Sequence, residues 1–324
     1  MQDISQNSVE KVKELLANAS NITILTHLNP DADTLGTGLG IYTLLKREKH
    51  FRVEIVNASS FLPKYLDFLP FYDKIKSRID FEESLVIACD CGSIDRLGFP
   101  LEGREILNID HHAGNNRYGS VNIVMPDYAS ASQVAFRLFE RLYSVDPQTA
   151  TCFYTALFSD TQFFTTASVT PEVFAVAKSL VDLGADPAKV AQQYTQRRSL
   201  SSVRVLERAL RSLTLHLEGK VATMVLTQED IDAAGATMPD MDGIVDYARS
   251  LVTVEIGVLC VQMDQYLRVS LRSKTVDVSR IAAVFGGGGH KVAAGFTLTQ
   301  TSLYETVDTI LAIITKRGIL HDKT

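Results

Sequence analysis

The sequence predicts an α/β fold: an N-terminal domain with a mostly parallel sheet flanked by helices, plus a smaller mixed α/β C-terminal domain. Three features of the 324-residue chain point there. Up to Asp110, short β-rich apolar runs alternate with helical periodicity, the pattern of parallel strands joined by crossover helices. Each run ends in a polar or charged residue, where functional groups of such sheets collect. Near residue 216 the character changes, and strands again mix with helices, which marks a second domain.

The elements follow in order. Val9 to Ala19 has helical periodicity and leads into the strand-like "NITILTH". "TLGTGLGIYTLLKRE" reads as a helix whose small first turns permit close packing. "RVEIVN" (52–57), "SLVIACD" (84–90) and "EILNID" (105–110) read as strands. Helices are expected over 130–144, 148–159, 171–183 and 187–211. Later, "KVATMVLTQED", "VEIGVLCVQMD" and "YLRVSLRSK" read as strands, "IVDYARSLV" and "SLYETVDTILAIITKRG" as helices. The domains are accordingly placed at 1–195 and 215–324, with a helical linker at 196–214.

Composition narrows the function classes. Apolar residues make up 46% of the chain, enough for sizeable cores. A net charge of -6 argues against a sheath for long duplex nucleic acid, which needs a basic face. Short anions stay open as ligands, because a local metal cluster outweighs global charge. "MQDISQNSVEKVKELL" has no basic segment followed by an apolar one, and no run approaches the ~18 apolar residues of a membrane span. A cytoplasmic protein without a membrane partner is the expectation. Cys89, Cys91, Cys152 and Cys260 are too scattered for a disulfide framework, and CxC is not zinc spacing.

Chemistry concentrates at the strand ends. "THLNPDAD" places His27, Asp31 and Asp33 just past the first apolar run, although an aspartate there also serves as a helix cap. Asp90 closes "SLVIACD", and "NIDHHAG" puts Asp110, His111 and His112 together at another strand end. Imidazole with carboxylate is a typical donor set for Mn, Fe, Co or Zn. Two adjacent histidines among seven in the chain favour a site over a solitary structural residue. Asp160, in "ALFSDTQFF", is one more isolated acid ending an apolar element. In the second domain "AVFGGGGHKVAAGF" suggests an open glycine run, with Gly287, Gly288 and Gly289 offering backbone N–H groups to a phosphate, then His290 and a small-residue helix. Arg268, Ser270 and Arg272 alternate in "RVSLRSK", so they share one face of a strand.

"THLNPDADTLG", "CDCGSIDRLG", "IDHHAGN" and "SDTQFF", in that order, resemble the four motifs of the DHH phosphoesterase superfamily. "RVSLRSK" with "FGGGGHKVAAGF" looks like its associated C-terminal substrate domain. Length and layout are most similar to the nanoRNase/pAp-phosphatase branch. The resemblance implies two divalent cations, Mn²⁺ foremost with Co²⁺, Fe²⁺, Zn²⁺ or Mg²⁺ as substitutes. His27, Asp31 and Asp90 would hold one ion, and Asp33, Asp90, His111 and Asp160 the other. Asp110 would orient a histidine, His112 would face the phosphate, and Ser270, Arg272, the glycine run and His290 would grip the substrate. The implied activity is hydrolysis of short single-stranded oligoribonucleotides to mononucleotides, or removal of the 3′-phosphate of 3′-phosphoadenosine 5′-phosphate, by attack of a metal-activated water. Cyclic dinucleotides or linear pApA are the alternative substrates. Pyrophosphate ranks lower, a non-catalytic nucleotide sensor lower still, and a homodimer is compatible with the family. Val134, Gln162 and Thr165 depart from the family pattern at positions expected to hold glutamate, glycine and arginine.

Overall fold

The computed structural model describes residues 3–299 and 301–321 and divides into two compact units, Met1–Arg197 and Arg198–Thr324. The first unit runs α1 (Gln6–Ala17), β1 (Asn21–Thr26), α2 (Ala32–Lys46), β2 (Arg52–Val56), β3 (Ile75–Lys76), β4 (Leu85–Cys89), β5 (Ile106–Asp110), β6 (Val121–Val124), α3 (Ala131–Phe139), α4 (Pro147–Asp160), α5 (Pro171–Asp182) and α6 (Pro187–Thr195). Its sheet has the order β3-β2-β1-β4-β5-β6, and every neighbouring pair is parallel. The chain fills the sheet outward in one direction from β1, then returns to the other side through β4. The crevice between β1 and β4 is therefore the switch point at which open parallel sheets bind ligands.

Packing explains the small residues of α2. The helix is buried from Ala32 to Leu45, wedged between the sheet and α4. A Cβ on Gly38 would lie 2.8 Å from the Thr26 side chain on β1, and one on Gly40 would lie 2.4 Å from the Phe153 ring on α4. No side chain fits there. The wedge brings Asp31 and Asp33, at the N-terminus of α2, to the C-terminal edge of the sheet. Phe136, Phe139 and Phe153 fill the core behind it.

The second unit runs α7 (Leu200–Arg211), β7 (Thr214–His216), β8 (Val221–Leu226), α8 (Gln228–Ala234), α9 (Ile244–Arg249), β9 (Ile256–Gln262), β10 (Tyr266–Ser273), α10 (Ser279–Val284), β11 (Gly288–His290), β12 (Ala293–Thr299) and α11 (Leu303–Lys316). Its sheet, ordered β11-β12-β10-β9-β8-β7, is mixed: β8 and β9 are parallel and the other neighbours antiparallel. Val205 and Ala209 of α7 are buried in a cluster with Ala222, Met224 and Ile231.

Three local expectations change. The helix foreseen over 187–211 breaks into α6 and α7, because Ser199 accepts a hydrogen bond from the Ser202 N–H and starts a new helix. The small-residue helix after His290 is instead β12, whose Ala293 and Gly295 pair with Arg272 and Ser270 of β10. The strands β3 and β6, two and four residues long at the sheet edges, carry too short a pattern to be seen in sequence. Among the described residues no helix is long and apolar enough to cross a membrane.

Candidate metal centre and phosphate-binding face

Thr34 ties the loop after β1 to the neighbouring strand. Its hydroxyl accepts from the His27 N–H at 3.2 Å and donates to the Cys89 carbonyl at 2.8 Å. Asn57, at the end of β2, adds donations to the Thr26 and His27 carbonyls. The His27 ring meets the Leu28 carbonyl through Nδ1 at 2.8 Å. Nε2 then lies 3.5 Å from Asp90 Oδ2 and 3.8 Å from Asp31 Oδ2. Asp31 serves two purposes at once. Its Oδ1 accepts from the Asp33 and Thr34 N–H groups as the cap of α2, while Oδ2 faces His27.

A second group forms around His111. Nδ1 meets the Tyr128 carbonyl at 3.2 Å, so Nε2 turns inward. Nε2 stands 3.6 Å from Asp90 Oδ1, 3.7 Å from Asp33 Oδ2 and 3.5 Å from Asp160 Oδ2. Asp33 is held by the first N–H groups of α3, with Ala131 donating at 2.7 Å and Ser132 at 3.2 Å. Asp160 is the last residue of α4.

Asp90 joins the two groups. One oxygen faces His27 and the other faces His111, and Oδ1 is buried without a hydrogen-bond partner. Its backbone sits in the left-handed region at φ 55°, a conformation that costs a non-glycine residue on the order of 1 kcal/mol. Burial pushes its carboxyl well above the usual range, and Asp33, Asp31, Asp160 and Asp110 push it the same way. Asp160 is raised by burial, then by Asp33 and Asp31. Burial raises Asp33 as well, although His111 opposes it.

Asp110 contrasts with Asp90. Oδ1 accepts from the His111 N–H and from His112 Nδ1, both at 2.7 Å, and Oδ2 accepts from Asn115 Nδ2 at 2.5 Å. Burial alone would raise Asp110, but His112, Asn115 and the His111 N–H hold it below the usual carboxylate range. Asp110 is saturated with donors, whereas Asp90 has an oxygen to spare.

These donors suit divalent cations. Separations of 3.5–3.8 Å are too long for hydrogen bonds. Two ligands each about 2.1 Å from a shared ion stand about 3.0–3.5 Å apart at ordinary coordination angles. His27, Asp31 and Asp90 lie within 4.8 Å of one another, as do Asp33, His111 and Asp160, and Asp90 also groups with His111 and His112. A cation would neutralise carboxylates that otherwise repel one another and would occupy the orphaned Asp90 oxygen.

In the second unit the register assembles a separate face. Gly288, Gly295 and Ser270 stand in one row across three strands, and His290, Ala293 and Arg272 in the next. Side chains in such rows share a side of the sheet, so Arg272 and His290 flank a floor of Ala293, Gly295 and Gly288. The glycine run is not an open loop: Gly288–His290 forms an edge strand. Gly287 and Gly289 are required by packing, since a Cβ would meet the Gly295 carbonyl at 2.3 Å or the Ala293 carbonyl at 2.5 Å. Arg272 is partly buried, 4.0 Å from Asp246, and Asp246 also pairs with Arg249 at 3.0 Å.

Sequence reasoning missed Asn57, Asn115 and the Tyr128 carbonyl. Asn57 could have been found, because it ends an apolar run as Asp90 does. Tyr128 acts through its backbone, which no residue type announces. Of the three departures, Val134 is fully buried in α3, while Gln162 and Thr165 are exposed in the turn after Asp160.

Residues 21–157 match the DHH family, N-terminal domain, and residues 218–317 match the DHHA1 domain. The chain is 31% identical over 299 residues to the "Bifunctional oligoribonuclease and PAP phosphatase NrnA" of Thermus thermophilus, covering 90% of this chain and 89% of that protein. A crystal structure of an exopolyphosphatase-related protein from Bacteroides fragilis superposes with TM-score 0.91 at 23% identity, covering 98% of each chain. The Mn²⁺ complex of RecJ from Thermus thermophilus has TM-score 0.56 at 14% identity, covering 96% of this chain and 54% of that one. Both structures speak to the fold.

Proposed function

Because the chain belongs to the DHH family of phosphoesterases, we propose that it hydrolyses short oligoribonucleotides to mononucleotides and removes the 3′-phosphate of 3′-phosphoadenosine 5′-phosphate. The observation that carries this reading is Asp90, whose two oxygens divide between two imidazole–carboxylate groups while one of them lacks any hydrogen bond. The relative named for both activities covers the chain over nine-tenths of its length.

His27, Asp31 and Asp90 would hold one divalent cation, and Asp33, Asp90, His111 and Asp160 a second, with Mn²⁺ foremost. Such a pair supplies charge neutralisation at phosphoryl oxygens and a water acidified toward neutral pH. The chain's own residues do the rest. Asp110 fixes the His112 ring through Nδ1, so a proton passed to the leaving oxygen would travel through Nε2. Asn115 holds Asp110 from its other oxygen, which keeps that carboxylate out of the donor set. Ser270, Arg272, Gly287, Gly288, Gly289 and His290 would receive a terminal phosphate or nucleoside. The small floor between Arg272 and His290 supports that assignment, as does the cationic fork of Arg272.

A substrate panel tests the reading. Purified protein in Mn²⁺ is expected to degrade oligoribonucleotides of three to five residues to mononucleotides and to release phosphate from 3′-phosphoadenosine 5′-phosphate, with loss of both activities in EDTA. Exclusive turnover of cyclic di-AMP or pyrophosphate, or no turnover of any phosphoester, would overturn it.

A further inference from the structure

Immediately after Asp160 the chain does something costly. Gln162, Phe163 and Phe164 take φ values of 46°, 66° and 62°, three consecutive left-handed residues without a glycine among them. Each such residue costs on the order of 1 kcal/mol, and bulky side chains rarely accept the conformation. Hydrogen bonds hold the turn: Gln162 N–H to the Ser159 carbonyl at 2.9 Å, Phe163 N–H to the Phe158 carbonyl at 2.8 Å, and Phe164 N–H to the Thr161 hydroxyl at 3.1 Å.

The turn lifts an aromatic ring out of the core. Phe163 is 46% exposed, although Phe158 and Phe164 on either side of the turn are buried or partly buried. Its ring rests 4.6 Å from the Phe158 centroid and meets Tyr194 of α6 edge-on at 5.8 Å. Tyr194 is itself fixed, by a 2.7 Å hydrogen bond to the Ser159 hydroxyl and by edge packing against Tyr65 at 5.3 Å. Ser159 adjoins Asp160, and three peptide units reach at most about 11 Å. The Phe163 backbone therefore lies no more than about 11 Å from that of Asp160, and Tyr194, against which the ring packs, feels the charges of Asp31 and Asp160.

We propose that Phe163, braced by Phe158 and Tyr194, is the platform on which a nucleobase of the substrate stacks. The inference rests on the reading that substrates are nucleotides and adds where one base sits. A π-face accepts any base, so the platform would contribute affinity without base identity.

Two measurements on the full-length protein test it. The first is binding of a non-hydrolysable phosphorothioate dinucleotide carrying 2-aminopurine, whose fluorescence falls on stacking. The second is the ratio of kcat/KM for an adenine dinucleotide to that for an analogue lacking one base. Phe163→Ala and Phe163→Leu should abolish the quench and lower the ratio about tenfold, and Phe163→Trp should restore both. If either truncation keeps the quench and the ratio, the proposal is wrong. Equal loss on both substrates would also overturn it, since the ring would then be structural. Wild-type quenching without any hydrolysis would sink the proposed activity and leave the platform standing; hydrolysis without quenching would do the reverse.

Discussion

Replacing Asp90 by asparagine separates electrostatics from catalysis. Oxygens of Asp33, Asp90 and Asp160 all lie 3.5–3.7 Å from His111 Nε2, so the three carboxylates converge on one point. At about 6 Å and an effective dielectric of 20, each pair of like charges repels by about 3 kcal/mol. Asp90 takes part in two such pairs and is 2% exposed. Its folded pKa lies above its unfolded one. Ionised Asp90 therefore destabilises the metal-free fold above the unfolded pKa, increasingly as pH rises toward the folded value. Proton uptake by its neighbours and imperfect packing of the amide reduce the gain, so we expect Asp90→Asn to stabilise the metal-free protein by about 2 kcal/mol near pH 8. For a unit of this size that is a rise in Tm of about 4–8 °C. Added Mn²⁺ should reverse the order. The wild type should gain about 2.7 kcal/mol per site at a hundredfold excess over Kd, and the variant much less. Phosphoesterase activity should fall by at least about a thousandfold in the variant. Melting curves with EDTA and with Mn²⁺, at one pH, decide the matter. A metal-free variant that melts below the metal-free wild type, or that gains as much from Mn²⁺, would refute the bridging role.

Two further substitutions probe other parts of the molecule. Arg272→Ala should raise KM by about 10–100-fold, the worth of one charge-assisted hydrogen bond, while bound metal measured by atomic absorption stays at the wild-type level. Gly40→Ala places a Cβ 2.4 Å from the Phe153 ring. Overpacking of this kind should cost about 1–3 kcal/mol, seen as a lower urea midpoint with an unaltered slope.

Most of the candidate site residues were legible because they obey one rule, a polar residue at or just past the end of an apolar strand, whereas Asp160 ends the helix α4. His27, Asp31, Asp33, Asp90, Asp110, His111 and His112 all follow it, and the parallel sheet collects them at one edge. Asn57 obeys the same rule and was overlooked because an amide is an ordinary turn residue. The glycine run differs from expectation in its conformation, an edge strand instead of an open run. Its composition suits an open phosphate loop, yet Gly287 and Gly289 are small because β12 presses against them. Whether a glycine serves a ligand or a neighbouring strand depends on what lies opposite, which composition does not record.

Residue order alone determined the alternation of strands and helices, the parallel first sheet and the identity of the charged residues at its edge, because hydrophobic period and strand termini are local properties. Only the tertiary structure decided how Asp90 and Asp110 differ, one with an oxygen left unpaired and the other saturated by His112 and Asn115. It alone turned Phe163 outward. The physical reason is shared: a side chain's charge state, partners and exposure are set by groups that are distant in sequence and meet only when the sheet closes its switch point and the helices pack against it.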